Sequence, residues 1–404
     1  MADNSESLRG AMVDALIDSA VLGSATVIDA LRAVPRHLFV PEVPLETAYA
    51  DVAIPMKLHD GRAISSASQP AIVAIMLEQL DVQLGDHVLE VGAGTGYNAA
   101  LLAHLVGSAG RVRTIDIDDD IVLGAQAHLH SAGASDVEVI LGDGMFGDPD
   151  GASYDRIIAT VGIWDIPPSW WEQLVVGGRV VAPLSLRGPQ VSIAFDKTSN
   201  DVMESSSVRP CGFMRLRGPF SQPATTAVTR GIAVTIDDEV DGPAIREMLS
   251  AEPVVRDVGL EASADEMYGS LALWLALHLD GYCTVSVGWR DAEPPIHLAV
   301  VTPAGNYGAV SKPSATGWSP ALFEGTSLSV VGRVKENLVV SIFGTPAPTS
   351  QIADALRRWH EAGRPSPADV RLRAERRPTA GGSQAEIVLS REWTTFSGHW
   401  AAAR

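Results

Sequence analysis

The sequence contains little cysteine, which limits the covalent and metal chemistry open to the chain. Only Cys211 and Cys283 occur among its 404 residues, and neither belongs to a CxxC pair or lies near a pair of histidines. Disulfide frameworks and thiolate metal sites need closely spaced cysteines. We therefore expect two isolated thiols and no metal site.

Long apolar runs are also lacking. Charged or turn residues interrupt every apolar stretch well before the ~20 residues that span a bilayer, and the first ten residues, MADNSESLRG, are polar and acidic rather than a signal peptide. Hydrophobic residues still make up 46% of the chain, enough for a large core. The sequence predicts a globular, cytoplasmic protein of two or three domains with no membrane partner.

Basic residues are outnumbered, with 30 Lys and Arg against 49 Asp and Glu and a net charge of −19. Affinity for nucleic acid comes largely from cationic side chains on phosphates, so we expect no nucleic-acid partner. One stretch departs from this balance, because seven arginines lie between Arg357 and Arg377. Two interpretations stay open: the solvated face of a helix and the strand after it, or a docking surface for an acidic peptide.

The pattern of apolar residues predicts an α/β first half. Two short helices are expected within residues 10–33, and later helices at 98–106 and 119–132. Between and after these lie six apolar runs that read as strands: 87–92, 111–117, 137–141, 154–160, 178–184 and 190–195. The early alternation of strand and helix is typical of a parallel sheet covered on both faces, and the later strands indicate an antiparallel edge.

A polar, proline-containing passage at 218–229 looks like a linker, so we place a domain boundary between residues 220 and 221. The second domain, 221–404, reads as an α+β mixture. Its helices are expected at 242–250, 264–279 and 349–362, its strands near 283–289, 296–301, 326–334, 337–343 and 385–390, and a loop at 379–384.

A glycine-rich turn follows the first strand of the sheet. The segment VLEVGAGTGYNAALLA, residues 88–103, runs from a buried strand through Gly92, Gly94 and Gly96 into a helix. Glycines there let the chain turn sharply and bring its backbone close to a ligand. Alone, this turn fits a dinucleotide site, another nucleoside site or a merely tight turn.

Carboxylates at three strand ends favour one of these ligands. Glu90 precedes the turn, Asp116 closes the next strand, and Asp143 closes the third, with the amide of Gly144 beside it. Asp116 is placed to accept from ribose hydroxyls, and Asp143 from the adenine amino group. Carboxylates attract a cationic sulfonium and repel a pyrophosphate, so S-adenosylmethionine fits better than NAD.

The sequence resembles the protein L-isoaspartate O-methyltransferase family over about residues 8–220. The resemblance rests on segments that occur in the family's order and spacing: VPRHLFVP (34–41), AYADVAIP (48–55), SQPAIVAIML (68–77), the glycine turn, GDG (142–144), YDRII (154–158) and PPSWWEQLVVGGRVVAPL (167–184). It implies a Rossmann-like class I methyltransferase with a seven-stranded, mostly parallel sheet. It also implies methyl transfer from S-adenosyl-L-methionine to a peptide carboxylate, with S-adenosyl-L-homocysteine as the product.

The resemblance also assigns roles to single residues. Ser68 matches the serine beside the methyl group and the acceptor carboxylate, and Gln69 shapes the same segment. Ser68 is also placed to cap the helix that begins at Pro70. Glu90, Gly92, Gly94, Gly96, Asp116 and Asp143 match the cofactor contacts. His37 reads as a packing or hydrogen-bonding residue rather than a base, since an acceptor carboxylate is already ionised at neutral pH.

Three departures from the repair enzymes of the family suggest a particular acceptor. The serine segment is longer and adds Ser65 and Ser66, Trp164 stands where small residues are common, and about 180 residues follow residue 220. The chain thus resembles the C-terminally extended actinobacterial homologues that accompany ribosomally made peptides such as lanthipeptides and graspetides. That resemblance implies methylation of an aspartate in a modified precursor peptide, and the ester then collapses to aspartimide or isoaspartate.

Two alternatives remain. One is repair of damaged L-isoaspartyl proteins, with the second domain serving stability or assembly. The other is a silent binding module that keeps the fold, although Ser68, Glu90, Asp116 and Asp143 are all present. Trp164 has two uses open to it, a wall of a peptide cleft or core packing, and the same holds for Trp170 and Trp171.

Overall fold

The computed structural model arranges the chain in two large sheets, a two-stranded ribbon and flanking helices. It describes residues 2–59, 62–219, 221, 225–229, 232–236, 241–288, 316–345, 351–377 and 385–401. The strands in these residues are β1 Ile54–His59, β2 Arg62–Ala67, β3 His87–Val91, β4 Arg111–Asp116, β5 Glu138–Leu141, β6 Tyr154–Ala159, β7 Leu174–Ser185, β8 Gln190–Ser199, β9 Val202–Pro210, β10 Thr225–Thr229, β11 Ile232–Ile236, β12 Val254–Glu261, β13 Tyr282–Gly288, β14 Thr316–Phe323, β15 Ser327–Val334, β16 Asn337–Gly344, β17 Val370–Arg376, β18 Ile387–Ser390 and β19 Thr394–Trp400. The helices are α1 Ala2–Asp18, α2 Ala25–Ala33, α3 Leu45–Ala48, α4 Pro70–Leu80, α5 Tyr97–Val106, α6 Asp119–Ser131, α7 Pro168–Gln173, α8 Gly242–Met248, α9 Ala272–His278 and α10 Gln351–Glu361.

The larger sheet has the strand order β18-β19-β17-β9-β8-β7-β6-β3-β4-β5. Its central pairs, β3 with β4, β3 with β6, β4 with β5 and β6 with β7, are parallel. The pairs from β7 outwards to β18 are antiparallel. Since parallel strands end at the same edge, the turns after β3, β4 and β5 meet there, where ligands bind in open α/β sheets.

Side chains that alternate along the central strands divide the core between two faces. Val88 and Ile158 pack with α4 and α5 on one face. Leu89 and Ile157 pack on the other face with the tryptophans of α7 and with α9. Helices on both faces of a mixed sheet confirm the predicted Rossmann-like methyltransferase fold.

The larger sheet has ten strands in the described residues, three more than the resemblance implied. The extra strands are β17, β19 and β18, and β17 joins the sheet through the pairs Arg373↔Glu204 and Glu375↔Val202. Leu372 of β17 and Phe396 of β19 pack in the same hydrophobic core as the strands of the first half. The division at residue 220 stays a prediction, but the strands beyond residue 370 extend the sheet of the first half.

The smaller sheet confirms the additional α+β unit. Its order is β10-β11-β13-β14-β15-β16-β12, and all its pairs are antiparallel. One face packs against α9 and α10, and the other against α8. Helix α9 serves both sheets, because Leu273 and Leu277 contact the larger one while Leu275 contacts the smaller one.

Most predicted elements of the second half are present. The helices appear as α8, as α9 with the π-helix Glu266–Leu271 before it, and as α10. The predicted strands near 283–289, 326–334, 337–343 and 385–390 correspond to β13, β15, β16 and β18. The predicted strand at 296–301 and the loop at 379–384 lie outside the described residues.

Candidate active site

A cavity of about 420 Å³ lies at the carboxyl edge of the parallel strands. Its walls come mainly from the ribbon of β1 and β2 with the residues after it, the glycine turn, the ends of β4, β5 and β6, and residues 212–217. Arg36 also lines it. The cavity brings together most of the predicted site residues: Ser65, Ser66, Ser68, Gln69, Glu90, Gly92, Gly94, Asp116, Asp143 and Gly144. Gly96 does not line it and instead begins α5 as the N-cap residue.

The glycine turn has the backbone that the motif requires. Gly92 has φ +102°, and a Cβ there would lie 2.6 Å from the hydroxyl of Thr160. Gly94 has φ +52°, and the nearest atom to a Cβ there would be 3.8 Å away, so its open side faces the cavity. The turn therefore lets a ligand approach the main chain at Gly94.

Glu90 connects the turn to its neighbours. Its side chain is fully buried and accepts hydrogen bonds from Asn98 Nδ2 at 2.8 Å and from Thr114 Oγ1 at 2.6 Å. Burial raises its pKa to about 7, although both hydrogen bonds favour the ionised form. Glu90 thus joins β3 to α5 and β4 and places a titratable carboxyl in the cavity wall.

Asp116 and Asp143 present carboxylates at the next two strand ends. Asp116 accepts from the amides of Gly94 at 3.2 Å and Asp118 at 3.3 Å, and burial raises its pKa. Asp143 Oδ1 accepts from the amide of Met145 at 3.0 Å, whereas the buried Oδ2 accepts no hydrogen bond from the described residues. A buried oxygen without a donor fits an incoming amino group such as that of adenine. These residues suit the predicted S-adenosylmethionine site.

The serine segment begins as a strand, which the sequence analysis did not predict. Ser65 and Ser66 belong to β2, which pairs with β1 in the ribbon, where Ser65 lies opposite Lys57 and Ser66 opposite Pro55. The sequence of this strand, RAISSA, has a single large apolar residue and no regular alternation, so its pattern did not predict a strand. Both serines line the cavity, and their contact with a substrate stays a prediction.

Ser68 does not cap helix α4. The helix begins at Pro70 as predicted, but its N-cap residue is Gln69, with no side-chain capping bond. Asp51 supplies the missing acceptor: its Oδ1 accepts from the amide of Ala71 and its Oδ2 from Gln69 Nε2, both at 2.8 Å. The hydroxyl of Ser68 is therefore not used at the helix start.

Two further residues hold this segment. Arg36 is buried and donates from Nε to the carbonyl of Ala48 at 2.9 Å and from Nη2 to the carbonyl of Ser68 at 2.8 Å. Asp51 and Arg36 both lie in segments that carry the resemblance, but a sequence does not show which charged side chain of a motif is buried. His37 makes a 2.7 Å hydrogen bond with the hydroxyl of Tyr49, in line with its predicted role.

An ion cluster closes the cavity on the side of the ribbon. Asp118 accepts from Lys57 Nζ at 2.9 Å and from Arg217 Nη2 at 2.8 Å, which holds its pKa below the usual range. Lys57 also contacts Asp120 at 2.7 Å. The cluster joins the ribbon, the turn after β4 and residues 212–217. Sequence reasoning missed residues 212–217 because they carry no motif.

The predicted substrate contact of Trp164 needs correction. Trp164 does not line the cavity; its ring lies 5.6 Å from that of Trp393, and Trp170 and Trp171 are core residues. The neighbouring Asp165 is buried and accepts from the amide of Trp393 at 2.7 Å, and burial raises its pKa to about 6. This segment binds the turn between β18 and β19 rather than forming a peptide cleft.

Five of the seven arginines between 357 and 377 lie on α10 or β17, and Arg364 and Arg377 follow shortly after these elements. Four of the seven form ion pairs with carboxylates of the chain: Arg357 with Asp354, Arg364 with Glu266, Arg373 with Glu204 and Glu375, and Arg376 with Glu172. Much of their charge is thus compensated internally, which weakens the docking interpretation.

Other predicted absences concern metals, disulfides and membranes. Both cysteines are free thiols. Among the described residues, no group of three or more His, Cys, Asp or Glu side chains is arranged to hold a metal ion. In the same part of the chain, every helix is too short or too polar to cross a membrane.

Comparisons with known proteins agree with this geometry. Residues 7–219 match the sequence model of the family described as protein-L-isoaspartate(D-aspartate) O-methyltransferase. The protein-L-isoaspartate O-methyltransferase of Methanoculleus marisnigri is 39% identical over 219 residues, 54% of this chain and 96% of the relative. Protein-L-isoaspartate O-methyltransferase 2 of Nitrosococcus oceani is 37% identical over 227 residues, 55% of this chain and 100% of the relative.

A solved structure of a protein-L-isoaspartate O-methyltransferase aligns with 96% of this chain and 99% of its own, with a TM-score of 0.51 and 21% identity. At that identity the likeness shows the fold alone, and it extends beyond the methyltransferase sheet into the second half. The family match covers more than half of the chain and includes the glycine turn, the strand-end carboxylates and the serine segment. This chain therefore belongs to the protein-L-isoaspartate O-methyltransferase family of S-adenosyl-L-methionine-dependent carboxyl methyltransferases.

Proposed function

We propose that this enzyme methylates the free carboxylate of L-isoaspartyl residues in damaged proteins, as a repair enzyme. The observation that carries the proposal is the match to relatives bearing this activity in their names over almost their whole length, with the Ser68 segment at the cavity. The fold of the second half is compatible with repair, since a solved protein-L-isoaspartate O-methyltransferase has a similar fold over 96% of the chain.

The reaction needs positioning rather than a base. When bound, S-adenosyl-L-methionine supplies an electrophilic methyl group on a sulfonium and leaves as S-adenosyl-L-homocysteine. The acceptor carboxylate, with an ordinary pKa near ~4, is ionised at neutral pH. Asp116 and Asp143 hold the nucleoside, and Ser68 orients the acceptor oxygen for in-line attack. The following backbone amide then attacks the ester, methanol leaves, and a succinimide forms.

A second candidate keeps the same chemistry with another acceptor. Ser65 and Ser66 line the cavity close to Ser68. The longer serine segment to which they belong favours a different acceptor, an aspartate within a ribosomally made peptide such as a lanthipeptide or graspetide precursor. Trp164 packs against Trp393 instead of lining the cavity, and several of the arginines between 357 and 377 are ion-paired within the chain. Neither feature therefore supports a docking surface for that peptide. We therefore rank this function below repair.

Two matched peptides separate the candidates. An isoaspartyl peptide and its aspartyl counterpart are offered with labelled cofactor, and kcat/KM is measured for each. Repair predicts at least a ~100-fold preference for the isoaspartyl form, since a misplaced acceptor loses the aligned geometry. A preference for the aspartyl form, or for a cyclised precursor, would transfer the assignment to the second candidate.

The role proposed for Ser68 has its own test. Ser68→Ala is expected to lower kcat and to leave the affinity for S-adenosyl-L-homocysteine nearly unchanged.

A further inference from the structure

Charge is unevenly distributed around the cavity. Glu90, Asp116 and Asp143 place three carboxyl groups at the cofactor end. Two arginines of residues 212–217 also line the cavity: Arg217 lies near Asp116 and is paired with Asp118, and Arg215 is exposed. An acceptor carboxylate that enters this field meets repulsion unless a cation lies close to its binding position.

Arg36 is the buried cation at the other end of the cavity. Its side chain is 1% exposed, and its guanidinium carbon lies 5.0 Å from the ring centre of Tyr97. Beyond the carbonyls of Ala48 and Ser68, its guanidinium has no hydrogen-bond partner and no carboxylate within ion-pair distance among the described residues. Asp51 attracts it only from further away, while its two carboxylate oxygens bind Ala71 and Gln69. Burial lowers its pKa, as expected for a desolvated charge.

A buried charge without a directly paired counterion is costly. Two carbonyls and an aromatic ring offset part of that cost, but they leave most of the five N–H donors unused. A carboxylate ligand would supply both the missing charge and the missing acceptors. The hydrogen bond to the Ser68 carbonyl places this cation beside the residue that the family resemblance puts next to the acceptor.

We propose that Arg36 binds a ligand carboxylate at the Ser68 end of the cavity, while its other edge holds the Ser68 backbone. This inference rests on the proposed methyl transfer to a carboxylate. The carboxylate belongs either to the acceptor peptide or to the amino-acid part of the cofactor, and both present the same planar anion to the guanidinium.

The experiment compares Arg36→Met, Arg36→Lys and Arg156→Met with the wild type. Arg156 is a matched control because it braces carbonyls at the far end of α4, those of Leu80 at 3.0 Å and Asp81 at 3.1 Å, and does not line the cavity. Calorimetry gives the affinity for S-adenosyl-L-homocysteine. Competition with an isoaspartyl peptide and its isoasparaginyl analogue gives the preference for carboxylate over amide.

We expect wild type and Arg156→Met to prefer the carboxylate by roughly 10- to 100-fold, and Arg36→Met to lose that preference. If Arg36→Met instead weakens S-adenosyl-L-homocysteine binding by a similar factor, the ligand carboxylate is that of the cofactor. Unchanged values for both ligands in a folded Arg36→Met protein would overturn the proposal.

Arg36→Lys covers the case in which the methionine variant does not fold. It keeps the charge but not the forked donors, so the carboxylate preference or the S-adenosyl-L-homocysteine affinity should shift by at least ~3-fold. Wild-type values for both would reject the role of Arg36.

If the wild type methylates only the aspartyl peptide, the same comparison is made with that peptide and its asparaginyl analogue. Failure of the repair assignment is thus distinguishable from failure of this inference.

Discussion

At the scale of single residues, Glu90 makes the cofactor site sensitive to pH. Its pKa is raised to about 7 by burial, and a sulfonium cation favours its ionised form. Between pH 6 and 8 the ionised fraction rises roughly tenfold, so affinity for S-adenosyl-L-methionine should rise by up to that factor. Titration calorimetry across this range measures it.

S-adenosyl-L-homocysteine is the control ligand for this prediction, because it carries no sulfonium charge. Its affinity should change less with pH, and Glu90→Gln should flatten the profile for S-adenosyl-L-methionine. Equal pH slopes for the two ligands in the wild type would show that Glu90 does not sense the cation.

At the scale of elements, Asp118 holds the ribbon and residues 212–217 together. Asp118→Asn removes the charge that pairs with Lys57 and Arg217. All three side chains are partly exposed, so the expected loss of stability is only about 1 kcal/mol. The looser walls should weaken S-adenosyl-L-homocysteine binding roughly 3- to 10-fold, measured by calorimetry with a melting curve beside it.

Asp120→Asn is the matched comparison, since it removes only the second carboxylate that contacts Lys57. Asp120 is 59% exposed, and its loss should leave binding almost unchanged. If the two variants behave alike, the cluster has no particular role in holding the cavity.

The sequence predicted the parallel strands and the turns after them because each turn directly follows its strand along the chain. The glycine turn, Asp116 and Asp143 could be assigned for this reason. Contacts between distant segments could not: Arg217 meets Asp118 from 99 positions away, and β17 pairs with β9 across the whole second unit. Arg36 and Asp51 belong to segments that carry the family resemblance, but their contacts depend on packing that no local pattern encodes.

At the scale of the whole molecule, the two halves share one core. The larger sheet packs against Leu273, Leu277, Leu372 and Phe396, all from beyond the predicted boundary. A chain that stops at residue 219 leaves this face and the outer edge of β9 uncovered, and Asp165 loses the amide of Trp393.

We therefore expect residues 1–219 alone to aggregate or to lack a cooperative thermal transition, although relatives of about that length are complete proteins. Size-exclusion chromatography and circular dichroism of the short and full chains provide the measurement. A monomeric short chain that melts cooperatively and methylates at the full-length rate would contradict the shared core.

Strand β17 is translated long after β9, its partner in the larger sheet. When β9 leaves the ribosome, its partner has not yet been translated, and the nascent methyltransferase exposes an apolar face and an open strand edge. Folding of this half therefore ends only after the residues beyond 370 have emerged. Until then, the open edge of β9 is available for pairing with another chain.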